Sequence, residues 1–263
     1  MPDVNLRAIE ERNVREAFNT ELSYLNLVNL VELGQHYISV TNPEFRAIPD
    51  ANQLLVQHDP PRPELFVSEY ERYCSVRGLK FVCLKVYTDE VGGVDRELSG
   101  RGYTVQELVP MVLEGSFKRT TKLRLKFKNP LDKTVWKTFV KYNRRYSMGL
   151  GKDFANVASL WKERLLESGF EYFVTYRGES PVGMVGRQKV DGYGRVKDII
   201  TFDNHRQKGI ATAMCLEMVK GLREQGCDRI YVFVQADDPA FEMFSNFGFK
   251  PLRPCRHYIK EQT

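Results

Sequence analysis

Long apolar runs are absent from this 263-residue chain: none approaches the roughly 18 to 20 residues that span a bilayer, which argues against a membrane-crossing helix. An apolar leader is missing too. Residues 1–15 carry acids and bases where a signal peptide would have an apolar stretch, so a cytoplasmic protein is the expectation. Cysteine is scarce. Cys74, Cys83, Cys215, Cys227 and Cys255 are odd in number, widely spaced and without a C-x-x-C pair, so they are read as reduced packing residues. That excludes a disulfide scaffold and leaves no metal site signalled. With 42% hydrophobic and 28% charged residues, the composition also argues against long disorder or collagen-like repeats. The length is about 1.8 times a 150-residue domain, which leaves two compact domains or one large one.

What is present is charge asymmetry. The net charge of +5 hides 11 Lys and Arg against 18 Asp and Glu in residues 1–117, a balance of −7. Residues 118–263 hold 28 against 16, a balance of +12, so only this half attracts anions such as a nucleic acid or a phosphate-bearing ligand.

Hydrophobic periodicity orders the second half. Leu123, Leu125 and Phe127 alternate with bases and predict a strand. Helices are expected from about Leu131 to Gly149 and from Asp153 to Gly169, then strands over 171–176, 181–190 and 196–202. A long helix over about 208–225 follows, then a strand over 229–235, a helix over 239–246, and strands at 249–251 and 256–260. The order is β-α-α-β-β-β-α-β-α-β-β. The first half repeats the tail of this order in weakened form: a helix over 64–77, a strand over 80–87, a short helix or loop over 91–99 and a strand over 104–113. Gly102 and Gly248 stand 146 residues apart and Gly78 and Gly226 stand 148 apart, which supports a duplication. A domain boundary is expected near 116–121, dividing the chain into 1–117 and 118–263.

The informative segment is Thr201-Phe202-Asp203-Asn204-His205-Arg206-Gln207-Lys208-Gly209-Ile210-Ala211. A strand gives way to a polar loop and a helix whose first turn is expected to contain Arg206-x-x-Gly209-x-Ala211. The first N–H groups of a helix lack internal partners and its dipole adds positive potential, while small residues admit a phosphate close to the backbone. Arg206 and Lys208 add full charges.

This segment resembles the [RQ]-x-x-G-x-[GA] signature of the GNAT superfamily of N-acetyltransferases. The stretch from Ala240 through Phe244 to Gly248-Phe249 is similar to that family's A-x-x-L-Y-x-x-x-G-F segment, and the element order is also the family's. The resemblance covers about residues 120–263 and implies tandem GNAT-like α+β domains, each a central mixed, largely antiparallel sheet flanked by helices, the first degenerate. In that first half His58-Asp59-Pro60-Pro61-Arg62-Pro63 stands where the cradle belongs, and proline removes the donors a pyrophosphate needs.

Carried over, the resemblance implies that the backbone amides of Gln207, Lys208, Gly209, Ile210 and Ala211 hold the pyrophosphate of acetyl-CoA, with Arg206 beside them. It further implies that the main chain of Thr201 pairs with the pantetheine arm where the fourth and fifth strands splay. The family's usual proton donor is a tyrosine at the position of Phe244, which cannot donate. Asp237 is either a helix cap before Pro239 or a coenzyme contact. The general base is Asp198 or His205, since a nearby carboxylate or an imidazole could draw the ammonium proton; alternatively Asp198 faces solvent and His205 is an exposed loop residue. The expected function is acetyl transfer from acetyl-CoA to a primary amine, small-molecule or peptide, by a monomer or weak homodimer. A catalytically weak or inactive acyl-CoA sensor is the alternative. Nucleic-acid binding through Lys118 to Arg145 is disfavoured, because Trp136, Phe139 and Tyr142 fall on the predicted buried stripe.

Overall fold

A computed structural model describes residues 2–88 and 91–262. In chain order its elements are α1 (Pro2–Asn26), β1 (Leu30–Leu33), β2 (Tyr37–Thr41), β3 (Gln53–Val56), α2 (Pro63–Val76), β4 (Phe81–Val86), α3 (Gly93–Gly100) and β5 (Thr104–Leu113). There follow β6 (Lys126–Lys128), α4 (Lys133–Ser147), α5 (Lys152–Glu167), β7 (Glu171–Arg177), β8 (Ser180–Val190), β9 (Tyr193–Thr201), α6 (Ile210–Glu224), β10 (Arg229–Gln235), α7 (Pro239–Phe247), β11 (Lys250–Pro251) and β12 (Cys255–Glu261). The architecture is α+β, and the order from β6 onward is the one read from periodicity.

The chain forms two compact units, and both are discontinuous. Unit 1 comprises Met1–Tyr24 with Pro110–Leu252, and unit 2 comprises Leu25–Val109 with Arg253–Thr263. This departs from the expected division at 117/118, because each terminus is held by the other half's sequence. Within unit 1, Glu16 of α1 takes a bidentate contact from Arg229 (2.6 and 2.9 Å) and a bond from the Tyr231 hydroxyl (2.7 Å), and Glu21 pairs with the buried Arg195. Within unit 2, β12 pairs antiparallel with β4 and with the first half of β5. Neither arrangement leaves a local signature.

Unit 1 orders its strands as the end of β5, then β10, β9, β8, β7 and β6. β9 and β10 run parallel, whereas β6 to β9 form an antiparallel meander. The expected strand over 123–128 shrinks to the three residues of β6, which alone find a ladder partner, on β7. Helix α4 starts where Asp132 accepts bonds from the amides of Thr134 and Val135 (2.9 and 3.0 Å), satisfying two of its free donors. Helix α6 buries Ile210, Ala213, Met214, Met218 and Leu222 on one stripe.

Unit 2 orders its strands β1, β2, β3, β4, β12 and β5, with α2 over a core that includes Leu54, Val67, Tyr70, Cys74 and Leu84. β3 and β4 run parallel, as β9 and β10 do. The four glycines whose spacing suggested a repeat all have left-handed backbones: φ is 63° at Gly78, 77° at Gly102, 85° at Gly226 and 101° at Gly248. An L side chain is disfavoured at each, which accounts for a common residue type at these helix ends.

Candidate active site

Two parallel strands of unit 1 come apart. The β9–β10 ladder holds from Tyr193↔Arg229 to Arg195↔Tyr231 and then ends, although β9 continues to Thr201 and β10 to Gln235. On its other edge β9 stays paired with β8 as far as Thr201↔Gly183. Residues 196–201 therefore present one main-chain edge without a strand partner among the described residues. The hydroxyl of Thr201 is buried and has no hydrogen-bond partner among the described residues.

Beyond Thr201 a single turn of 3₁₀ helix (Asp203–His205) leads into the cradle. The expectation that Arg206 and Gly209 lie in a helical first turn is corrected: α6 begins at Ile210, and residues 206–209 form a loop in which Gln207 (φ 60°) and Gly209 (φ 74°) are both left-handed. Successive amides alternating in this way form a concave nest for an anion. Among the described residues the amides of 207–211 have no backbone acceptor outside α6, and the first amides of a helix have none within it. Gln207, Lys208 and Gly209 are exposed, and a Cβ built on Gly209 would meet nothing within 4 Å. The turn combines open space, donors without acceptors among the described residues and left-handed backbone, the makings of an anion site.

Charge surrounds this turn in an arrangement that spacing did not reveal. Asp203 receives the Arg145 guanidinium on Oδ2 (2.7 Å) and that of Arg206 on Oδ1 (3.0 Å), and its amide donates to the Tyr146 hydroxyl (2.9 Å). Burial and the adjacent Asp203 raise the Tyr146 hydroxyl pKa above its ordinary value. Lys208 Nζ bonds the carbonyl of Asn204 (2.9 Å). Tyr142 stacks on Phe202 at 3.6 Å between centroids, and Phe139 is fully buried against Trp136 and Tyr172. Those rings are engaged inside the unit.

Asp198 is neither a solvated residue nor a free base. It lies where the β8–β9 register skips, between Met184 and Gly186, with a left-handed φ of 56°. Its Oδ2 takes both Lys162 Nζ (2.7 Å) and the Tyr172 hydroxyl (2.9 Å). Burial alone would raise its pKa, but the charges of Lys162 and Lys197 and these two bonds outweigh it and hold the carboxyl well below the usual range. So held, Asp198 is a poor proton acceptor at neutral pH. The reading of Asp198 as general base gives way to one in which it fixes Lys162 and Tyr172. No local pattern signals this triad, since its members lie 36 and 26 residues apart. His205, half-buried in the 3₁₀ turn, has no side-chain partner among the described residues.

Phe244 is buried, edge-on to Phe249 at 5.4 Å, and supplies packing only. Asp237 is not the cap of α7; Asp238 is, accepting from the Ala240 amide at 2.7 Å. Among the described residues no group of His, Cys, Asp and Glu could hold a metal, and no helix is long and apolar enough to cross a membrane.

The counterpart in unit 2 lacks both features. β3 and β4 stay paired to their last residues, Val56↔Val86, and the Tyr87 amide extends the ladder to the Val56 carbonyl (2.8 Å). The turn after β3 carries Pro60 and Pro61, and α2 opens on Pro63. No gap and fewer donors remain there.

The acetyltransferase (GNAT) family model matches residues 136–249, from α4 to the start of the last strands. The uncharacterized N-acetyltransferase YobR of Bacillus subtilis (strain 168) is 26% identical over 90 residues, 34% of this chain and 36% of that protein, so the chain spans about a third of that relative's length. Among solved structures, a functionally unknown conserved protein from Staphylococcus epidermidis ATCC 12228 matches with a TM-score of 0.73 at 14% identity, covering 88% of this chain and 93% of that one. A GCN5-related N-acetyltransferase from Kribbella flavida matches with a TM-score of 0.67 at 12% identity over 95% of both chains. At such identities the structural likeness is one of fold. Residues 136–249 are thus similar to the acetyltransferase (GNAT) family, the same stretch that carries the 206–211 segment.

Proposed function

We propose that unit 1 binds acetyl-CoA and transfers its acetyl group to a primary amine of a small molecule or peptide. One observation carries the reading: the opening between β9 and β10 ends at a turn whose amides find no backbone acceptor among the described residues and whose residues Gln207, Lys208 and Gly209 are exposed. When bound, the coenzyme supplies an activated acyl thioester and a diphosphate. The amides of Gln207, Lys208, Gly209, Ile210 and Ala211 hold the diphosphate, and Arg206, already turned to Asp203, adds charge at its edge. The free edge of β9 through Thr201 pairs with the amide-bearing arm as an added strand would. Of the two candidate bases, His205 is the one without a competing partner, and it draws the proton from the incoming ammonium directly or through water. As the C–N bond forms and the C–S bond breaks, Phe244 brings no hydroxyl, so solvent is the proton source for the leaving sulfur.

A thermal-denaturation series with acetyl-CoA, longer acyl-CoAs and free CoA, followed by CoA release over an amine panel, tests the proposal. Binding to the native state raises the melting point. A rise with acetyl-CoA together with CoA release supports transfer, whereas no rise with any thioester contradicts the site. The buried Phe244 favours a second reading, a sensor that binds acyl-CoA without turnover. Its mark is a raised melting point with no CoA released by any amine.

A further inference from the structure

Unit 2 lacks the strand opening and free-amide turn of unit 1 and holds a cavity of about 270 Å³ between α2 and the face of β1, β2 and β3. Four aromatic rings line it. Tyr37 and Phe66 meet at 5.4 Å with their planes tilted by 47°, and Tyr70 and Tyr73 stack at 6.2 Å. Phe66, Tyr70 and Tyr73 come from one stripe of α2, which also brings Glu69 to the wall. From the sheet side comes Glu32, in register with Ser39 and, through it, with Leu54. Neither the Glu32 nor the Glu69 side chain has a hydrogen-bond or ion-pair partner among the described residues. Among the described residues no Lys, Arg or His lines the cavity.

We propose that this cavity is a binding site for a small organic ammonium ion with an apolar or aromatic body. The two carboxylates on facing walls select a cation and repel a phosphate or carboxylate. The rings attract an ammonium through their electron-rich faces and take up the apolar body. Tyr73 already receives one cation, the Arg77 guanidinium 5.4 Å from its centroid. The volume, slightly under the roughly 300–1,000 Å³ of common ligand pockets, limits the guest to a compact one. Besides the rings and the two carboxylates, the polar side chains of Ser39, Thr41, Asn52 and Gln53 line it.

Isothermal titration calorimetry on the full chain with 2-phenylethylamine, 2-phenylethanol and phenylacetate tests the proposal. The amine should bind saturably and about tenfold more tightly than the neutral alcohol, with phenylacetate weakest. In the double variant Glu32→Gln, Glu69→Gln, the amine should lose about tenfold and the alcohol should be unchanged. Both positions are exposed, so the variant leaves the fold intact. Equal affinities for amine and alcohol, no saturable heat with the amine up to about 10 mM, or undiminished amine binding in the double variant would each overturn the proposal. None of these results depends on whether acetyl-CoA binds.

Discussion

Substitutions at Gly209 separate the two things that residue does. Its φ of 74° is left-handed and a Cβ there meets no atom within 4 Å, so alanine brings no overlap and only the conformational cost of an L side chain, about 1–2 kcal/mol. For a protein of this size each kcal/mol lowers the midpoint by roughly 2–4 °C, so Gly209→Ala should melt about 2–8 °C lower. Gly209→Asn, which tolerates the left-handed region, should lose less. Gly209→Glu takes a similar backbone cost and adds a carboxylate at the proposed diphosphate site. At about 5 Å and an effective dielectric between 20 and 80, each pair of unit charges repels by about 0.8–3 kcal/mol, and a diphosphate brings two charges. Acetyl-CoA affinity should therefore fall at least about tenfold beyond the effect of alanine. Differential scanning fluorimetry reads the first quantity and titration calorimetry the second. Undiminished acetyl-CoA affinity in Gly209→Glu would refute the assignment of these amides.

Three further expectations concern the frame around the site. Asp198→Asn strips the largely buried Lys162 of its partner and should cost about 1–3 kcal/mol at pH 7 in urea denaturation. Because the folded-state pKa of Asp198 lies below its unfolded value of about 3.9, its contribution is complete above about pH 5 and fades as pH falls through the acid range. The wild-type advantage should shrink toward pH 3, and a constant gap would contradict the assignment. Gly186→Ala would place a Cβ 2.5 Å from Phe170 Cε1 and 2.8 Å from Tyr172 Cε1, and the overpacking should cost about 1–3 kcal/mol in the same assay. All five thiols are free and buried, and burial pushes that of Cys74 up to about 12 and those of Cys83 and Cys215 higher still. Ellman's reagent at pH 8 should find almost none in the native protein and five in urea; rapid native labelling of Cys74 would contradict its burial.

Legibility followed the range of the interactions. Strands β7, β8, β9 and β10 and helices α5 and α6 write their burial into residue spacing, and positions 206–211 carry their donors in the local backbone, so both were readable. The 25-residue α1 was not, because its ties are ion pairs and hydrogen bonds to Arg195, Arg229 and Tyr231, about 170 to 215 residues away. The same long range misplaced the domain boundary, since β12 belongs with β4 and β5. Asp198 looked like a possible base because one residue on a strand says nothing of Lys162 or Tyr172, whose contacts depend on a register skip. The left-handed Gln207 also had no signal, as that conformation is uncommon for its residue type.

The most direct measurement is amide hydrogen exchange across unit 1 with and without acetyl-CoA. The coenzyme should slow exchange at residues 207–211 and along the free edge of β9 at 196–201, with no slowing around 58–66 of unit 2. Protection at 58–66 instead, or no protection anywhere at saturating acetyl-CoA, would contradict the proposed site.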